Sequence, residues 1–203
     1  MRFKLKDLIH ELKHHAPFTA FATIIAILVI LLIQYFFNKS ISKELFEIFH
    51  PLHIVASSIV TAGIFYKYKS KVFYAILVGI SGAIIIGSLS DIIFPWIGGN
   101  LLTLNTSFHL PLIEKPLIIL GSALIGSLIG IYTKITKMPH FTHVFLSVFA
   151  SLFYLLGFSS GITFFYFVAA FIIVLIAVII PCCMSDILFP FLFLKEKIKH
   201  CDC

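Results

Sequence analysis

Histidine and aspartate recur in this chain in two short words, each present twice. His50-Pro51-Leu52-His53 is matched by His140-Phe141-Thr142-His143. Ser90-Asp91-Ile92-Ile93-Phe94-Pro95 is matched by Ser185-Asp186-Ile187-Leu188-Phe189-Pro190. The order is the same both times, and the offsets nearly agree: 90 residues for the histidine words (140−50) and 95 for the aspartates (186−91). Imidazoles three residues apart share one helix face. With a carboxylate beside them they make a ligand set for Zn²⁺, Mn²⁺, Fe²⁺, Co²⁺ or Ni²⁺, or a site that exchanges protons. The candidate metal residues are therefore His50, His53 and Asp91 in one half, and His140, His143 and Asp186 in the other. His14 and His15 are placed to add ligands to the second cluster, and His109 and Glu114 to the first. Ser90 and Ser185 stand beside the aspartates, where a hydroxyl can orient a carboxylate. Cys201 and Cys203 end the chain as soft ligands. No residue is singled out as catalytic. The plain alternative is structural: duplicated His and Asp words that only hold helices together.

These words sit in an unusually apolar chain. Of 203 residues, 60% are hydrophobic and 12% charged. A soluble domain carries about 25% charged residues, and a chain this small has too little interior to hide so much apolar surface. The composition implies an integral, multi-pass membrane protein with the lipid bilayer as its main partner. The net charge of +6 then reads as lysine anchoring beside lipid headgroups, not as nucleic-acid binding. An ionisable side chain inside such a chain is costly and by default suggests function. Cys182 and Cys183 are adjacent and Cys201 and Cys203 nearly so, which argues against structural disulfides.

The elements that must position the words are apolar runs. They predict an all-α fold with spans near 17–37, 50–66, 72–97, 116–135, 140–158 and 164–194. Segment 1–16 reads as a retained cytoplasmic N-terminus, 17–97 as the first three-helix repeat, 98–115 as an outer loop, 116–194 as the second repeat and 195–203 as a cytoplasmic tail. An odd number of crossings per repeat makes the two copies inverted. Twelve of the fifteen Lys and Arg residues fall on one side of this topology, with only Lys39, Lys43 and Lys115 on the other. That puts both termini in the cytoplasm. The prolines of the Ser-Asp words are expected to end or kink their helices. Gly79, Ala83 and Gly87, and likewise Ser122, Gly126 and Gly130, form small-residue stripes suited to close helix contact. Counting from the lysine turn, Asp91 lies about 30 Å along one helix and His50 about 26 Å along the next, at 1.5 Å per residue. Their cluster is expected near the outer face, and the cluster of His140, His143 and Asp186 near the inner face.

Two partial resemblances bear on function. His10-x-x-x-His14-His15 superficially resembles a histidine box of membrane fatty-acid desaturases, whose boxes share one face, whereas here the words fall on opposite faces. His140-Phe141-Thr142-His143-Val144 and Ser90-Asp91-Ile92-Ile93-Phe94-Pro95 are similar to words of small membrane-bound metal-dependent hydrolases. The similarity covers about a tenth of the chain, without that family's arginine, second acid or histidine spacing. No zincin, Walker or serine-nucleophile word is present. The leading expectation is a small transporter or exporter of a divalent transition-metal cation, not an enzyme, with a metal ion or proton as partner. The alternatives are a metal-dependent hydrolase of lipid or lipid-linked substrates and a non-catalytic membrane scaffold. A homodimer is compatible with any of them.

Overall fold

The computed structural model describes residues 5–36, 41–133, 137–160, 164–183, 189 and 193. Among them the chain is helical, with short turns and no strand. Helix α1 is Leu5–Phe36, α2 Ile41–Tyr68, α3 Val72–Ser88, α4 Phe94–Leu101 and α5 Pro111–Glu114. Helix α6 is Pro116–Thr133, α7 Lys137–Phe158 and α8 Phe164–Val178. Two π-turns, Leu89–Ile93 and Ile179–Cys183, follow α3 and α8. They start 90 residues apart (179−89), the same offset as the histidine words.

This bundle exposes many large apolar side chains and buries several polar ones within its apolar core. Phe73, Leu117, Ile125 and Phe165 are exposed, while His50, His53, Asp91, Thr61 and Ser147 are buried. A water-soluble bundle does the reverse. Three helices are long and apolar enough to cross a membrane: Ser42–Tyr68, Val72–Leu101 and Pro116–Thr133. Shorter apolar helical stretches run Ala16–Val29, Thr142–Phe158 and Phe165–Pro181.

Several boundaries differ from those the apolar runs suggest. Helix α1 passes through Pro17 instead of starting there. Helix α2 starts at Ile41 and contains Pro51, so His50 and His53 lie inside the helix and not at its tip. The leading turns hold Ser42, Lys43, Glu44 and Glu47, too polar to register as an apolar run. Helix α7 likewise starts at Lys137, ahead of the histidine word. The first Ser-Asp word does not end its helix. Pro95 lacks an N–H, and in a regular helix its ring would strike the carbonyl four residues back, at Asp91. The π-turn over Leu89–Ile93 widens the backbone at this point, and the helix resumes as α4 with Pro95 in its first turn. Past α4, the turn uses left-handed backbone at Thr103 and Asn105. The irregular segment after it is tied to the end of α7, where the Ser107 N–H donates to the Phe158 carbonyl at 2.9 Å and the Ser160 N–H to the Leu104 carbonyl at 3.1 Å.

Helix α2 is the axis of the bundle, packed on α3, α6 and α7. It runs antiparallel to α7, because ring contacts pair Phe46 with Phe158, Phe49 with Phe153 and His53 with His143. Against α6 its backbone is in direct contact. A Cβ at Gly126 would strike the Val55 carbonyl, and one at Gly130 the Ile59 carbonyl. Backbone cannot give way as a side-chain end can, so Gly126→Val and Gly130→Val should each destabilise the bundle by at least about 1–3 kcal/mol. Gly121→Ala, with nothing within 4 Å of its Cβ, should melt like the parent. Thermal unfolding in detergent checks this, and a Gly130→Val chain that melts like the parent would refute the close contact.

Candidate functional site

The π-turn projects Asp91 into the bundle, where the carboxylate is wholly buried. Four side chains converge on it. His50 Nδ1 lies 2.8 Å and His53 Nδ1 2.6 Å from Oδ2. The Ser90 hydroxyl donates to Oδ1 at 2.7 Å and the Ser147 hydroxyl at 2.9 Å. Ser151 completes the support by donating to the Ser90 carbonyl at 3.1 Å and the Ser147 carbonyl at 2.7 Å. His50 and His53 come from adjacent turns of α2, so the helical spacing alone aims both rings at one point. Ser147 and Ser151 come from α7 and are four apart for the same reason.

This geometry assigns the protons. An ionised carboxylate only accepts, so each Nδ1 facing it carries a hydrogen. In the neutral ring the basic lone pair is then on Nε2. Asp91 thus stands where a carboxylate orients imidazoles. Among the described residues, no three His, Cys, Asp or Glu side chains are grouped to hold one metal ion. No lysine or arginine among the described residues pairs with Asp91.

The sequence candidates fall into three groups. His50, His53, Asp91 and Ser90 come together. His143 joins them from the other half, because its ring stacks on His53 at a centroid distance of 5.3 Å and an angle of 16°. The expectation of two clusters at opposite faces therefore does not hold for His143. The first histidine word lies well inside α2, and the antiparallel packing of α2 and α7 brings His143 level with His53. His109 and Glu114 do not join the cluster either. The His109 ring sits 2.8 Å from Glu47 through Nε2 and 2.8 Å from Glu114 through Nδ1, while Lys115 reaches Glu47 at 2.9 Å. Phe46 separates this network from the cluster, with its ring stacked on His50 at 5.4 Å and edge-on to His109 at 5.9 Å. Asp186, Ser185, Cys201 and Cys203 lie outside the described residues, as do the side chains of His14, His15 and His140.

The sequence reading missed Ser147 and Ser151. Their signal is the run His143, Ser147, Ser151, one buried polar residue per turn of α7. It also missed Ser57 and Thr61, which continue the His50–His53 stripe along α2 and are fully buried.

No family model, curated protein or solved structure matches this chain.

Removing the Asp91 carboxylate would leave two imidazole N–H groups and two hydroxyls without their acceptor. Each orphaned buried group costs about 1–3 kcal/mol. Asp91→Ala should therefore cost at least about 3 kcal/mol, and Asp91→Asn clearly less, since its carbonyl oxygen still accepts. Detergent melting curves of the two variants test this ranking. Equal midpoints for Asp91→Ala and the parent would mean that the carboxylate does not organise the cluster.

Proposed function

We propose that the protein is a small multi-pass membrane transporter that moves a divalent transition-metal cation through an occluded site built on His50, His53 and Asp91. The observation that carries this reading is the burial of the Asp91 carboxylate among imidazoles. With both imidazoles neutral, a fully buried carboxylate has no cationic side chain against it among the described residues. A lone buried negative charge is costly, more so in a bilayer. A cation arriving at the imidazoles balances it, and so does a proton, which turns a ring into imidazolium. Metal ion and proton thus compete for the same nitrogens, which suits exchange of one for the other.

The surroundings fit an occluded state. Towards the Lys115 end the cluster is covered by Phe46, Tyr154 and Phe158. Towards the Lys67 end lie Val60, Ile64, Phe65, Val78 and Phe189. In this reading the six apolar helical segments all cross the bilayer, with both termini cytoplasmic beside most of the lysines. The two halves are inverted repeats that meet at His53 and His143, and release follows when one half rocks against the other. A hydrolase would need a metal-bound water beside a carboxylate available as base. Here both oxygens of Asp91 are taken by four protein donors, which favours transport.

Purified chain in sealed liposomes, with a fluorescent metal indicator inside and a pH dye in a parallel sample, tests the reading. Zn²⁺, Mn²⁺, Fe²⁺, Co²⁺ and Ni²⁺ are offered in turn. At least one should enter well above the rate of empty vesicles and drive protons the other way. Asp91→Asn and His53→Gln should each lower that flux at least tenfold. Full flux in Asp91→Asn would sink the mechanism, and no flux with any of the five ions would sink the cargo.

A further inference from the structure

The polar stripe does not stop at the cluster. Antiparallel packing sets the register: Ser147 meets Asp91 beside His53, and His143 stacks on His53. One turn further along α2, on the same face, comes Ser57, and one turn beyond that Thr61. His143 lies one turn from Ser147 in the same spatial direction. Ser57, Thr61 and His143 are all fully buried.

Ser57 Oγ and Thr61 Oγ1 have no hydrogen-bond partner among the described residues. This is unusual for buried hydroxyls. Ser58, on the neighbouring face of the same helix, donates to the Val55 carbonyl at 2.9 Å in the ordinary way. Buried polar groups of this kind are commonly satisfied by internal water. The opposite end of the stripe shows no such deficit: Tyr154 donates to the Ser107 carbonyl at 3.2 Å and accepts from the His109 N–H at 3.2 Å. Along the stripe itself, the hydroxyls without a partner therefore lie on the side of Asp91 that leads to Lys67, Lys69 and Lys71. Thr61 is six residues from Lys67, about 9 Å along the helix.

Among the apolar side chains at that end, the Phe189 ring lies beside Thr61. A Cβ on Gly82 would meet Phe189 Cδ1 and Thr61 Cγ2, each at 2.9 Å. Glycine at this position is what lets the Phe189 ring lie beside Thr61. Phe189 also packs against both large hydrophobic clusters of the bundle.

We propose that a hydrated conduit joins the Asp91 cluster to the Lys67–Lys71 end of the bundle past Ser57 and Thr61, and that Phe189 is its gate. The conduit supplies the path for the transporter reading, so it rests on that reading for its purpose. Its hydration does not depend on flux, and the test reads hydration alone.

Cysteine accessibility in liposomes gives that reading. In a chain with Cys182, Cys183, Cys201 and Cys203 changed to serine, Ser57→Cys, Thr61→Cys and Ser58→Cys are made one at a time. Folding is checked by size-exclusion chromatography. A small cationic methanethiosulfonate is then added. Ser57→Cys and Thr61→Cys should react at least tenfold faster than Ser58→Cys, which sits at the same depth on a dry face. Adding Phe189→Ala should speed Thr61→Cys about tenfold further and leave Ser58→Cys unchanged. Equal rates at the three positions overturn the conduit, and so does a Thr61→Cys rate that Phe189→Ala does not raise. Should the cysteine variants misfold, water-edited solid-state NMR of the unmodified chain in bilayers decides. Fast transfer from water to the Thr61 methyl supports the conduit, and transfer no faster than to Ala62 overturns it. A wet Thr61 in a chain without metal flux would keep the conduit and sink the cargo, so the two failures are distinguishable.

Discussion

One buried carboxylate organises this molecule. Asp91 accepts from two imidazoles of α2, from a serine of α7 and from its own neighbour Ser90. Each of these groups would be expensive to bury alone. Together they satisfy one another, and the satisfaction is geometric: two donors on each oxygen. Ring and hydroxyl positions on three separate elements must agree within a few tenths of an ångström for this to hold. That requirement fixes the rotation of α2 about its axis, its antiparallel register with α7 and the depth of the π-turn.

The π-turn shows how sequence meets that requirement. An α-helix continued through Leu89–Ile93 would bring the Pro95 ring onto the Asp91 carbonyl. The wider turn removes the conflict, and Ser90, Asp91 and Ile92 all become buried. Proline here does not stop the helix; it goes with a local widening at the residues that carry the polar chemistry, a placement π-turns often have. The glycines of α6 work at another level. By admitting the backbone of α2 at Gly126 and Gly130, they hold the helix that bears both histidines against a rigid surface. Rigidity matters because an imidazole displaced by an ångström no longer reaches the carboxylate.

Much of this was legible in the sequence, for reasons that can be named. His50, His53 and Asp91 were recoverable because helix rise and helix face are simple arithmetic and because polar residues stand out in so apolar a chain. Helix starts were less legible. The first turns of α2 and α7 carry Lys43, Glu44, Glu47 and Lys137, so an apolar-run criterion begins the helices late and leaves the histidine words at their tips. From that error followed the expectation of two clusters far apart, although the antiparallel register brings His143 against His53. His109 and Glu114 were attractive as ligands by proximity in sequence. Nothing in the sequence reveals that Phe46 stands between them and the cluster. Serines were hardest to see, because a serine in an apolar helix usually bonds its own backbone, as Ser127 does to the Ala123 carbonyl at 2.7 Å. Ser147 differs only in what it faces.

Charge ties the architecture to the proposed activity. Where both rings are neutral, the four donors solvate the carboxylate without cancelling its charge. A bundle meant only to be stable would gain from a lysine beside Asp91, or from an uncharged residue in its place. The described lysines go elsewhere: Lys43 lies over the Phe158 ring, and Lys115 pairs with Glu47. Imidazoles occupy the position instead, and they are the side chains whose charge changes most easily near neutral pH. Under the transporter reading, a core that keeps an anion and surrounds it with imidazoles gives up stability for exchange. Under the transporter reading that sacrifice is the working principle: the empty site is the costly state, and relief of its charge drives the cation in.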